Sequence, residues 1–115
     1  MPNEFSIQRQ NAPNGVAILE VKGFLDAHTF EQLEEAIDAL FAEGIFRIVV
    51  DLAGVDYISS AGAGVFIGAL SQCTEHSGNI ILLRPTESVQ EVFDLLGLSQ
   101  IFTIAKDPNA ALAAF

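Results

Sequence analysis

Glu4, Phe5, Ser6, Ile7, Gln8 and Arg9 alternate polar and apolar side chains, the period of a half-buried strand. Residues 11–15 (Asn-Ala-Pro-Asn-Gly) read as a turn and Val16 to Val21 as a second strand, so the chain opens on a predicted hairpin. Past Gly23 the period changes: Phe30, Leu33, Ile37, Leu40 and Phe41 recur at helical spacing, with Asp26 and Thr29 as candidate N-caps and Gly44 as the stop. Residues 45–52 form a β-branched, nearly continuous apolar run. That pattern predicts a central strand covered on both faces, ending near Leu52.

A second helix is predicted over 61–76, then a buried strand over 80–83 closed by Arg84 and Pro85. Thr86 or Ser88 can cap a third helix, with Ser88 and Glu91 at capping-box spacing and Val89, Val92, Phe93 and Leu96 on one face. Gly97 ends it, and Leu98 is placed for the apolar contact of a Schellman-type stop. Residues 101–104 read as a last strand, and Asp107 with Pro108 opens a C-terminal helix through Ala114. The order β-β-α-β-α-β-α-β-α predicts an α/β fold, a mixed sheet of about four to five strands with four helices packed on it.

Length places all of residues 1–115 in one domain, long enough for one core and too short for separate catalytic and substrate domains. Half the residues are hydrophobic and 17% are charged, which excludes a disordered chain. Five Lys and Arg against fifteen Asp and Glu leave a net charge of −10, which repels nucleic acid and anionic membranes. The cations Arg9, Lys22, Arg47, Arg84 and Lys106 are scattered and form no basic patch. The longest apolar run, residues 61–70, falls short of the roughly twenty residues a membrane span needs. A single cysteine, Cys73, and no charged-then-apolar leader fit a reducing, cytoplasmic setting.

Candidate chemistry is sparse. His28 and His76 lack partners at ligand spacing, so no metal site is expected; His28 reads as a loop residue and His76 as a helix-end residue beside Glu75. Cys73 shares a helix face with Phe66 and Leu70 and reads as an inert core thiol. Glu34 with Glu35, and Asp51 with Asp56, are weak as acid/base pairs, and no catalytic residue or cofactor is assigned. Gly62-x-Gly64-x-x-x-Gly68 would suit a nucleotide loop only if it followed a strand directly, yet about nine residues separate it from Leu52. Small residues that let a helix approach the sheet are the favoured explanation. Ser59 and Ser60 stand at the start of that helix, where a hydroxyl either caps, contributing about 1 kcal/mol, or offers a site that tolerates phosphate.

Gly23-Phe24-Leu25-Asp26 with Thr29, Val50-Asp51-Leu52 through Asp56-Tyr57-Ile58-Ser59-Ser60-Ala61-Gly62, and Val92 through Leu98 together resemble the STAS-domain family over nearly the whole chain. Within it the likeness is to the free-standing anti-sigma factor antagonists of bacterial partner-switching systems. The resemblance implies that a cognate anti-sigma factor, itself a serine kinase using ATP, phosphorylates Ser60, with Ser59 as second choice. It further implies that the unphosphorylated protein binds this kinase and frees a sigma factor, and that a phosphatase resets the switch. Asp26, Asp56, Tyr57, Ser59, Ser60, Ala61 and Gly62 would form the partner-binding surface. Ser59 stands where many members carry Asp. Two rival readings are a constitutive or transporter-associated STAS scaffold whose serines only cap, and a nucleotide-binding domain using Gly62, Gly64 and Gly68.

Overall fold

The structure, a computed structural model, describes residues 4–115. Strands β1 (Ser6–Ala12) and β2 (Val16–Leu25) form the N-terminal hairpin, followed by α1 (Phe30–Ala42), β3 (Arg47–Ile58), α2 (Ser60–Glu75), β4 (Asn79–Leu83), α3 (Glu87–Leu95), β5 (Thr103–Ala105) and α4 (Pro108–Ala113). The five strands lie in one mixed sheet in chain order. β1 pairs antiparallel with β2, and every later pair is parallel. Parallel neighbours need a crossover, and α1, α2 and α3 supply the three crossovers.

The apolar run of β3 is buried on both faces for the reason the sequence suggests. Ile48, Val50 and Leu52 join Leu33, Ile37, Phe66, Val89 and Phe93 in the main core beneath α1, α2 and α3, whereas Val49 packs with Ile81, Ala105 and Ala111 on the side of α4. Phe66 is the hub of the larger cluster, meeting Phe93 and Phe102 edge-to-face at centroid distances of 6.1 and 6.4 Å. Cys73 is fully buried there, and burial pushes its thiol up to about 11, away from thiolate chemistry.

The strands run further than hydrophobic alternation indicates. β2 continues past Val21 to Leu25 and β3 past Leu52 to Ile58, because irregularities at Glu20/Lys22 and Gly23/Phe24 shift the register without ending the pairing. Gly23 sits at φ 104° within this stretch, a conformation suited to glycine. β1 covers Ser6–Ala12 rather than 4–9, and the turn closes through Asn14 and Gly15, both left-handed. β5 is confined to Thr103–Ala105, since Leu98–Gln100 forms a 3-10 turn and Ile101 lies outside the sheet, exposed.

Two details of α3 also differ. Its cap is Thr86, whose Oγ1 accepts the Val89 N–H at 3.4 Å while donating to the Val55 carbonyl at 2.9 Å. Ser88 already lies inside the helix, so it forms no capping box with Glu91. Leu96 is 48% exposed rather than on the apolar face, because the helix stops at Leu95 and the chain turns at Gly97 (φ 74°), sending Leu98 into the core instead.

Candidate functional site

The C-terminal ends of β2 and β3 meet the start of α2, and their local chemistry fixes the two serines differently. Ser59 has extended backbone angles (φ −97°, ψ 172°) and is the N-cap residue, its Oγ accepting the Gly62 N–H at 3.3 Å. Its backbone N–H donates to the Leu25 carbonyl at 2.9 Å, and its own carbonyl accepts the Ala63 N–H at 2.9 Å. Ser59 is therefore committed and half-buried. Ser60 is the first residue of α2 and exposed, and among the described residues no hydrogen bond holds its hydroxyl.

Beside them, residues 26–29 are tied down by local bonds. Thr29 occupies the N-cap position of α1 but makes no capping bond; its Oγ1 accepts the Asp26 N–H at 2.9 Å and donates to the Phe24 carbonyl at 2.7 Å. The Asp26 carboxylate accepts the His28 N–H at 2.9 Å, and His28 itself is exposed, as the sequence suggests. Because Leu25 pairs with Ile58, this loop lies alongside Ser59 and the start of α2.

The rest of the anticipated surface divides by burial. Asp56 and Tyr57 are exposed near the end of β3, Asp26, Ser59 and Ala61 are half-buried, and Gly62 is buried. Tyr57, 49% exposed, meets Phe24, 37% exposed, edge-to-face at 6.0 Å across the β2–β3 pairing. Phe24 is the residue that sequence reasoning left out of the surface. A strand continued to Leu25 would have set it opposite Tyr57, but the break in alternation at Gly23 hid that continuation. Among the described residues no ion pair involves Asp26 or Asp56; Arg9 binds Glu43, Lys22 approaches Glu20, and Arg84 holds Asp51.

Asp51 and Asp56, considered together as an acid/base pair, prove to have separate roles. Asp51 is buried and receives the Arg84 guanidinium on both oxygens, at 3.2 and 2.9 Å, and the Ala53 N–H at 3.1 Å. Hydrogen bonds and the charge of Asp51 push the Arg84 pKa further up. Arg84 reaches it from a left-handed turn at φ 40°. His76 caps the far end of α2, stacked on Phe46 at 3.9 Å with Nδ1 3.0 Å from the Gln72 carbonyl.

The three glycines of α2 lie inside a helix, not in a loop. The strand preceding them ends at Ile58, so the separation reckoned from Leu52 is corrected; what distinguishes them from a phosphate loop is their helical position. Only Gly62 provides close approach to the sheet, since a Cβ there would stand 2.7 Å from the Leu25 carbonyl oxygen. A Cβ at Gly64 or Gly68 would meet nothing within 4 Å, and both border a cavity of about 220 Å³ that is also lined by Glu34 and Asp38. Among the described residues no group of three His, Cys, Asp or Glu could hold a metal ion, and no helix is long and apolar enough to cross a membrane.

A serine-capped strand-to-helix junction at the end of this mixed sheet coincides with a match of the STAS domain family to residues 9–111. The chain belongs to the STAS family. Among STAS relatives, BtrV of Bordetella bronchiseptica, designated a putative anti-sigma factor antagonist, is 36% identical over 89% of this chain and 88% of its own. The anti-sigma-B factor antagonist of Staphylococcus epidermidis is 33% identical over 75% of this chain and 80% of its own. The anti-sigma factor antagonist SpoIIAA of Bacillus, solved unphosphorylated and phosphorylated, shares the STAS fold at TM-scores of 0.82 and 0.74 with 22% identity. The two structures cover 95% and 96% of this chain, matched over 95% and 100% of their own.

Proposed function

We propose that this STAS protein is an anti-sigma factor antagonist whose binding to its anti-sigma factor is switched by phosphorylation of Ser60. The observation that carries the reading is the division of labour at the start of α2: Ser59 does the capping, which leaves the Ser60 hydroxyl exposed and uncommitted. The names of its relatives support the antagonist role, and SpoIIAA, a protein of the same fold, exists in a phosphorylated form.

Transfer joins Ser60 Oγ to the γ-phosphorus of ATP held by the anti-sigma factor kinase, releases ADP, and passes the hydroxyl proton to a base on the kinase. The product carries a charge of about −1.5 to −2. That charge arises at the start of α2, four residues after the exposed Asp56, and among the described residues no cation of this chain forms an ion pair with Asp26 or Asp56. A helix N-terminus holds such a group without refolding the domain, so the change is electrostatic and local. A partner surface fitted to the neutral hydroxyl, with nucleotide phosphate nearby, is then repelled. Tyr57 and Phe24 are suited as apolar anchors of that contact, and hydrolysis by a serine phosphatase restores the hydroxyl.

Incubation with the cognate kinase and ATP tests the assignment. Wild-type protein should gain one phosphate and lose affinity for the kinase, Ser60→Ala should gain none, and Ser60→Asp should bind weakly while folded. Full labelling of Ser60→Ala would overturn the choice of residue.

A further inference from the structure

We propose that Gly62 is a positioning residue for the Ser60 hydroxyl: its missing side chain seats the first turn of α2 on the last carbonyl of β2. The inference rests on the reading of Ser60 as the modified residue. A Cβ at position 62 would lie 2.7 Å from the Leu25 carbonyl oxygen, 2.8 Å from Leu25 Cγ and 3.2 Å from Ile58 Cγ1, all tighter than ordinary van der Waals contact. The nearest of these is backbone, and it cannot swing aside as a side-chain tip can.

The same Leu25 oxygen accepts the Ser59 N–H at 2.9 Å, and the Gly62 N–H in turn bonds to Ser59 Oγ at 3.3 Å. Leu25, Ser59 and Gly62 thus form one closed contact, with Ser60 carried on the outside of it. On the other side of Leu25, residues 26–29 are pinned through Thr29 to the Phe24 carbonyl. Gly62 therefore sets the placement of Ser60 relative to Asp26 and to the Phe24–Tyr57 pair, which a partner meets together. Gly64 lies in the same helix, and a methyl group added there would have nothing within 4 Å, so it provides the control.

Gly62→Ala must move the helix start by about 0.5 Å or more, and misplacement on this scale lowers transfer to a positioned group. Two measurements test it. By NMR, Gly62→Ala should shift the amide signals of residues 24–29 and 59–61 and speed exchange of the Ser59 amide, whereas Gly64→Ala should leave both in place; unmoved signals and unchanged exchange in Gly62→Ala would overturn the proposal. With the cognate kinase, folded Gly62→Ala should show kcat reduced roughly ten-fold with KM little changed. A variant that is merely destabilised would lower only the folded fraction, raising apparent KM at unchanged kcat, and that result also overturns the proposal. Should Gly62→Ala not fold, the wild-type protein carries the test: the Ser59 amide, closed onto the Leu25 carbonyl, should exchange as slowly as the paired amides of β2 and β3, and exchange as fast as that of an exposed loop amide would overturn the proposal. If Ser60 is not the phosphorylated residue, Ser60→Ala is still labelled and the kinetic arm no longer reports on Ser60, while the NMR arm still decides whether Gly62 places that hydroxyl.

Discussion

Replacing Ser59 and Ser60 in turn by alanine should separate capping from exposure within one dipeptide. Ser59→Ala removes the acceptor of the Gly62 N–H and leaves one donor of the first turn without its side-chain partner. N-cap loss costs about 0.5–2 kcal/mol, and the 3.3 Å bond is longer than the usual 2.9–3.0 Å, which points to the lower half, about 0.5–1 kcal/mol. The helix itself should persist, because Ala63, Val65, Phe66, Ala69 and Cys73 remain buried beneath it. Ser60→Ala removes an exposed hydroxyl that has no hydrogen bond among the described residues and gains helix propensity worth a few tenths of a kcal/mol, so its stability should match or slightly exceed wild type. Urea denaturation followed by circular dichroism reads both, and thermal scans should show Ser59→Ala lower by roughly 2–5 °C. Phosphate uptake should have the opposite pattern, retained in Ser59→Ala and absent from Ser60→Ala. A destabilised Ser60→Ala beside a neutral Ser59→Ala would refute the division of labour at the start of α2.

Three further outcomes follow from the core and its charges. Phe66→Ala should lose about 3–5 kcal/mol in urea denaturation, since it empties the hub between Phe93 and Phe102; a loss under about 1 kcal/mol would mean that the site collapses without a cavity. Hydrogen bonds from Ser99 and then Gln90 hold the Asp94 carboxyl below its ordinary 3.8, so the unfolded chain takes up that proton first on acidification. The stabilisation is complete at neutral pH and is lost as pH falls below the ordinary value. The difference in urea midpoint between wild type and Asp94→Asn should accordingly shrink below about pH 4, and a constant difference would contradict the assignment. With its thiol raised to about 11, Cys73 should resist iodoacetamide at about pH 8 in the native protein and react once urea unfolds it; rapid native alkylation would show that the helix opens locally.

Much of the architecture was legible because it depends on short-range periodicity. The continuous run at residues 45–52, the stripe from Phe30 to Phe41, Gly97 at a left-handed turn and Asp107 bonded to the Ala110 N–H all lie where local pattern places them. The strand ends were not legible in the same way. Lys22 to Leu25 and Ala53 to Ile58 mix polar and apolar residues without a clean alternation, and only pairing across the irregularities makes them strands. That extension is what brings Phe24 to Tyr57 and leads β3 directly into Ser59.

Local sequence alone determined that two hydroxyls stand at the start of an apolar helix following a buried strand, in a chain whose net charge is −10. Which hydroxyl caps and which stays free was decided by the tertiary structure. The Leu25 carbonyl arrives from a different strand, takes the Ser59 N–H and accepts the close approach of Gly62, so Ser59 is turned inward and Ser60 outward. The same holds for Asp51, whose partner Arg84 lies 33 residues away in sequence. Hydrogen bonds of this kind are allocated by distances between segments remote along the chain, and no window of local pattern contains those distances.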